Sequence, residues 1–91
     1  MIHLVYTIRD SAANAYLRPM FVPTEAVIIR ALRNLVERKE EGDMVAAYPD
    51  QYSLYKLGTF NDATAELDFF DPQFVGVVSA LIASVKESND A

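Results

Sequence analysis

Apolar and polar positions repeat along this chain with two different periods. From Ile2 to Arg9, the residues Ile2, Leu4, Tyr6 and Ile8 alternate with His3, Val5, Thr7 and Arg9. A period of two among strand formers predicts a β-strand with one buried face. Between Pro23 and Glu41 the period lengthens to that of a helix. Ile28, Ala31, Leu32, Leu35 and Val36 fall on one side, flanked by Val27 and Ile29, while Arg30, Arg33, Asn34 and Glu37 fall on the other. Thr24 stands where an N-cap belongs, Glu25 suits the positive end of the helix dipole, and Pro23 keeps the preceding residue out of helical geometry. Arg38 and Lys39 suit the last turn, and Gly42 is the natural residue to end the helix. This long amphipathic helix is the element around which the rest is expected to pack.

The remaining segments are shorter. Asp10 to Ala15 reads as a loop. Tyr16 to Val22 is extended, and Pro19 within it limits it to an edge strand or an irregular segment. Met44 to Ala47 has room for one helical turn before Tyr48-Pro49-Asp50-Gln51. Ser53 to Phe60 is a strand with apolar residues on both faces, Tyr55 and Leu57 against Leu54 and Phe60, which implies partial cover on both sides. After a four-residue turn, Asn61 to Thr64, Ala65 to Phe70 alternates, with Ala65, Leu67 and Phe69 facing one way and Glu66, Asp68 and Phe70 the other, completing a β-hairpin. Asp71-Pro72 resembles an N-cap followed by proline at the first helical position, predicting a second helix to about Lys86. That helix would be apolar nearly all round, with Gly76, Ala80 and Ser84 as a small-residue stripe and Leu81 beside it. It packs either on its own sheet or across a homo-oligomer, a dimer or larger. The expected fold is therefore α+β: a small antiparallel sheet of three to four strands, the long helix, and an apolar C-terminal helix. Residues 1–86 form one domain and 87–91 a polar tail.

Composition narrows the function classes. With 52% hydrophobic residues the chain of 91 is expected to fold, and the absence of cysteine excludes disulfides and thiolate metal sites. The N-terminus lacks a basic region and a cleavage site, and the longest apolar tract is too short for a bilayer, so a soluble, cytoplasmic protein is expected. The net charge of −5 is unevenly spread: residues 1–39 carry +3 and residues 40–91 carry −8. An acidic protein is a poor general polyanion binder. The asymmetry either has no consequence or marks one basic face.

Three segments, Tyr6 to Asp10, Pro23 to Arg30, and Tyr48-Pro49-Asp50-Gln51-Tyr52-Ser53-Leu54-Tyr55-Lys56-Leu57-Gly58-Thr59-Phe60, together resemble the small nonstructural protein of gokushovirus-type microviruses, phages with single-stranded DNA genomes. The resemblance covers roughly residues 2–66. It implies a DNA-binding phage protein of the host bacterial cytoplasm, or a counterpart of the microvirus protein that switches replication to single-stranded genome production. The family turn usually runs Asp-x-x-Thr-Gly, whereas Ala65 replaces the glycine here, so a left-handed bulge is less comfortable. The family's C-terminal portion is often short and polar, unlike the apolar segment of this chain.

No residue pattern points to catalysis, a cofactor or a small-molecule substrate. His3 is the sole histidine and no spacing gives it fellow ligands. Glu40, Glu41 and Asp43 read as a solvated helix end in preference to a cation site, and no phosphate loop or nucleophile motif is present. The implied partner is single-stranded DNA, which requires a basic track and aromatic platforms. The candidates are Arg9, Arg18, Arg30, Arg33 and Lys56, with Tyr16 and Tyr55 foremost among tyrosines that also include Tyr48 and Tyr52. Packing in the core or at a sheet edge is the competing role for the tyrosines. Arg33 is placed to pair with Glu37, and Arg9 either pairs with Asp10 or Asp50 or meets a phosphate. The second class of function is a protein–protein adaptor or host-directed factor acting through an acidic surface.

Overall fold

A computed structural model of the protein describes residues 1–83. Its centre is β1 (Ile2–Asp10), which is flanked on one side by β4 (Tyr52–Asn61) and on the other by the short strands β2 (Ala15–Tyr16) and β3 (Met20–Val22). β5 (Glu66–Val77) pairs with β4 and forms the far edge, and every pairing is antiparallel. The result is a curled α+β domain with helices on one side of the sheet. Pro19 lies in the break between β2 and β3, so the edge expected over Tyr16 to Val22 is two short pieces.

The helix α1 (Glu25–Arg38) starts where the sequence places it. Thr24 is extended, and its hydroxyl accepts from the Val27 N–H. At 14 residues it is shorter than the Pro23 to Glu41 span. It ends because Lys39 adopts the left-handed conformation (φ 48°, ψ 48°), three residues before Gly42. Ile28 and Leu32 enter a core shared with Tyr6, Ile8, Val45, Tyr52, Leu54 and Val78. The turn expected over Met44 to Ala47 is α2 (Met44–Ala47), capped by Asp43, and a 3₁₀ turn (Pro49–Gln51) leads into β4.

Two expectations fail. The first is the helix beginning at Asp71-Pro72. Those residues lie inside β5, and helix appears only over residues 78–83, here α3. The local N-cap signal yields to pairing with β4: Gln73 is opposite Lys56, Phe74 opposite Tyr55 and Gly76 opposite Leu54. Pro72 is tolerated because it sits on an edge strand within an irregularity of the ladder, where its missing N–H interrupts no bond. Gly76, Ala80 and Ser84 therefore do not form a helical stripe: Gly76 is in a strand, Ala80 is exposed on α3, and Ser84 lies outside the described residues. Leu81 folds back towards Gly76, where an added β-carbon would come within 2.8 Å of the leucine side chain. The helix α3 thus packs on its own sheet through Val78, with Leu81 and Ile82 against the core.

The second is the single buried face of β1. Val5 and Thr7, on the side assigned to solvent, are 0% and 1% exposed, as inaccessible as Tyr6 on the other side. A strand paired along both edges has its middle residues covered by larger neighbours on each face, and the Thr7 hydroxyl donates to the Leu17 carbonyl (2.6 Å).

The buried Tyr6 phenol donates to Glu25 Oε1 at 2.8 Å and so ties the first turn of α1 to the central strand. Burial, followed by the Glu25 carboxylate, pushes its pKa well above the ordinary tyrosine value of 10.0. Tyr6→Phe is expected to lower stability by about 1 kcal/mol at neutral pH, read by urea denaturation. Because the folded state holds this proton more tightly than the unfolded chain, stability falls as pH rises above 10. Tyr6→Phe should make that alkaline decline shallower in melts across pH 8 to about 11.

The hairpin turn leaves Ala65 left-handed (φ 63°), a conformation that glycine adopts without strain. Ala65 is held there by its N–H bond to the Asn61 carbonyl (2.7 Å). Ala65→Gly is expected to stabilise the protein by about 1 kcal/mol, since relief of the left-handed strain outweighs the added chain entropy. An unchanged or lower urea midpoint would contradict this.

Candidate nucleic-acid interface

The side of the sheet away from α1 is built by one irregularity. Val5 pairs with Gly58 but Tyr6 pairs with Lys56, so Leu57 is an extra residue in β4. Side chains alternate along a strand, and one inserted residue exchanges the faces beyond it. Tyr55, opposite Thr7, already faces outward. Phe60, which simple alternation places with Leu54, is instead opposite His3 and joins Tyr55 on the outer face.

Ladder partners share a face, so the register assembles the remaining members. Tyr16 is opposite Arg9, Phe21 opposite Val5, Leu67 opposite Phe60, Phe69 opposite Gly58 and Phe74 opposite Tyr55. The rings touch in two groups. Tyr55 meets Tyr16 and Phe74 edge-on, each at 5.6 Å between centroids. Phe60 meets Phe21 edge-on at 5.6 Å and the His3 ring at 6.2 Å. No helix among the described residues covers these rings: Tyr16 and Phe21 are 49% exposed, Phe69 58% and Phe74 60%. The alternation expected in the hairpin holds, with Glu66 and Asp68 opposite Leu67 and Phe69. The apolar side of that hairpin faces away from the core.

The charges divide accordingly. The paired residues of the outer face include Arg9 and His3 and no carboxylate, whereas Glu66 and Asp68 lie on the helix side. Asp62, in the turn at one end, accepts from the Met1 ammonium (2.8 Å) and lies 2.9 Å from His3 Nε2. Those two bonds, the ammonium first, hold its carboxyl below the usual carboxylate range. Arg9 donates to the neutral Asn14 side chain and to no carboxylate among the described residues. Arg18 is exposed in the connection between β2 and β3, along the edge that carries Tyr16.

The sequence-predicted constellation is therefore split. Arg9, Tyr16 and Tyr55 come together, with Arg18 on their edge. Arg30 and Arg33 lie on α1, across the sheet, where Arg33 pairs with Glu37 at 3.1 Å. Lys56, opposite Tyr6, also faces the helix side. Tyr52 is a core residue whose buried hydroxyl reaches Asp10 (3.4 Å), and Tyr48 caps the short α2. Composition alone does not reveal Phe21, Phe60, Phe69 and Phe74. Phe74 is hidden by the misread helix and Phe60 by the inserted Leu57. Of the acidic cluster after α1, Asp43 is occupied in capping α2 and Glu40 lies 3.7 Å from Arg38. No group of three or more possible metal ligands gathers among the described residues, and none of their helices is long and apolar enough to cross a membrane.

The chain matches the model of the Phage ORF5 protein family over residues 3–81, nearly its whole length, and belongs to that family. No curated protein and no solved structure gives a match.

Gly58 keeps the outer face intact, since a β-carbon there would overlap the Asp68 carbonyl across the ladder. Gly58→Ala is expected to cost at least ~1–3 kcal/mol by urea denaturation and to separate β4 from β5. Loss of amide-exchange protection confined to the hairpin would be the accompanying sign.

Proposed function

We propose that this phage protein binds single-stranded DNA on the outer aromatic face of its sheet, without catalysing a reaction. Its place is the host bacterial cytoplasm, in the switch to single-stranded genome synthesis or in packaging, as the gokushovirus resemblance implies. The observation that carries the reading is the open, aromatic sheet face with arginine at its edge. Unpaired bases stack on exposed rings whatever their sequence, at about 1–3 kcal/mol per base, while nearby cations meet the phosphates. A duplex hides its base faces in its own stack and gains nothing from such a surface. The two paired acids of the hairpin, Glu66 and Asp68, lie on the other side of the sheet.

A second reading takes the same face as a contact between copies, favoured by the exposed Leu67 beside Phe69. The adaptor reading would use the helix side, where Glu66 and Asp68 sit.

The test is anisotropy of a labelled single-stranded oligonucleotide and its duplex at about 50 and 200 mM salt. Tyr55→Ala and Phe74→Ala should each weaken single-strand binding roughly 5- to 100-fold, with little effect on stability for the exposed Phe74. Arg9→Gln should lower the salt slope by about 0.7, and Arg30→Ala should leave it unchanged. Binding that ignores both rings and depends on Arg30 would move the site to α1. An aromatic variant that lowers particle mass in sedimentation without changing DNA affinity would favour the contact between copies.

A further inference from the structure

The two aromatic groups on the outer face are separate. Tyr55 links Tyr16 and Phe74, Phe60 links Phe21 and His3, and no ring of one group pairs with a ring of the other. Between them on β1 and β4 lies the Val5–Gly58 pair, without an aromatic side chain, and that row carries Phe21 at its β3 end and Phe69 at its β5 end. In an edge-to-face pair one ring meets its neighbour with an edge, so at least one flat surface in each group is left for a third ring. The groups differ in charge as well. Arg9 lies across the ladder from Tyr16, whereas the histidine of the Phe60 group is engaged with Asp62.

Resting on the single-strand reading, we infer that the face is a two-bay site: one strand seats one base against Tyr55 and a second base against Phe60, with its backbone held at the Arg9 end. Because Leu57 is an extra residue, the bays are four ladder steps apart, from Thr7 to His3 on β1, roughly 13 Å at the usual strand rise. Fully stretched, a nucleotide spans about twice its stacked rise of 3.4 Å. The two seated bases are then about two nucleotides apart, and about three to four nucleotides suffice to occupy both bays. The tyrosine bay binds first, since it alone has a cation not matched by a carboxylate among the described residues. The phenylalanine bay adds affinity only to strands long enough to reach it.

The test is an NMR titration of the full chain with oligothymidylates of two, three, four, six and eight nucleotides at about 50 mM salt, repeated with Phe60→Leu and Tyr55→Leu. Leucine fills most of the space of the ring and removes the stacking surface. The parent protein should gain roughly tenfold or more in affinity between two and four nucleotides and under about threefold between four and eight. Phe60→Leu should bind the dinucleotide within about twofold of the parent and lose the gain at four, whereas Tyr55→Leu should weaken every length. Equal losses at two and four nucleotides in Phe60→Leu, or affinity rising evenly with length, would overturn the two-bay site and leave the single-strand reading standing. No binding at any length would overturn both.

Discussion

The inserted residue Leu57 is the constraint on which the outer aromatic surface depends. Without it, Phe60 would continue the alternation of Leu54 and point towards the helices, and the outer face would lose one of its two aromatic groups. The insertion needs a neighbour without a side chain, because the β5 backbone closes on β4 at that point. Gly58 supplies it, letting the Asp68 carbonyl approach where a β-carbon would collide. β5 has its own irregularities, one between the pairs that flank Leu57 and one beside Tyr55. Together they make an edge strand that curls and accepts Pro72. The ladder also sorts chemistry: Leu67 and Phe69 to one side, Glu66 and Asp68 to the other.

Elements written in local chemistry were legible from the residues. Thr24 marks the start of α1, Met44 to Ala47 is the one-turn α2, and the four-residue hairpin turn falls one residue later than expected, over residues 62–65, with Ala65 in the turn and not in the strand. Features that depend on pairing were not. Asp71-Pro72 carries a sound local signal for a helix start, and only the presence of β4 beside it decides otherwise. The left-handed Lys39 ends α1 before the glycine that sequence rules favour. The face of Phe60 depends on a register shift that no period-two reading of one strand contains. Arg9, Tyr16 and Tyr55 were recognisable as candidates by type, but their separation from Arg30, Arg33 and Lys56 is a property of the sheet.

Net charge is a weak guide to what such a protein touches. At −5 the whole chain repels polyanions, yet the field at a flat sheet is set by the nearest groups, and solvent-exposed charges beyond about 10 Å are largely screened at 0.1 M salt. On the outer face the charged group among the paired residues is Arg9, with Asp62 at the end engaged by the chain terminus. Glu66 and Asp68, the paired acids of the hairpin, lie on the helix side.

The composition of the outer face bears on what covers it. A sheet face buried against a second copy resembles a domain core cut in half and draws on aliphatic side chains as well as rings. Among the paired apolar residues here, Leu67 is the one exposed aliphatic, at the rim beside the turn, and Val5 is shielded in the middle. The exposed area is otherwise carried by Tyr16, Phe21, Phe69 and Phe74, with Tyr55 and Phe60 behind them. Rings held edge-to-face leave flat surfaces at fixed positions, an arrangement that a close-packed aliphatic interface does not need and that stacking on a planar ligand does. Rings and arginine are also the residues enriched where proteins meet, so a contact between copies would draw on the same surfaces as a stacked base.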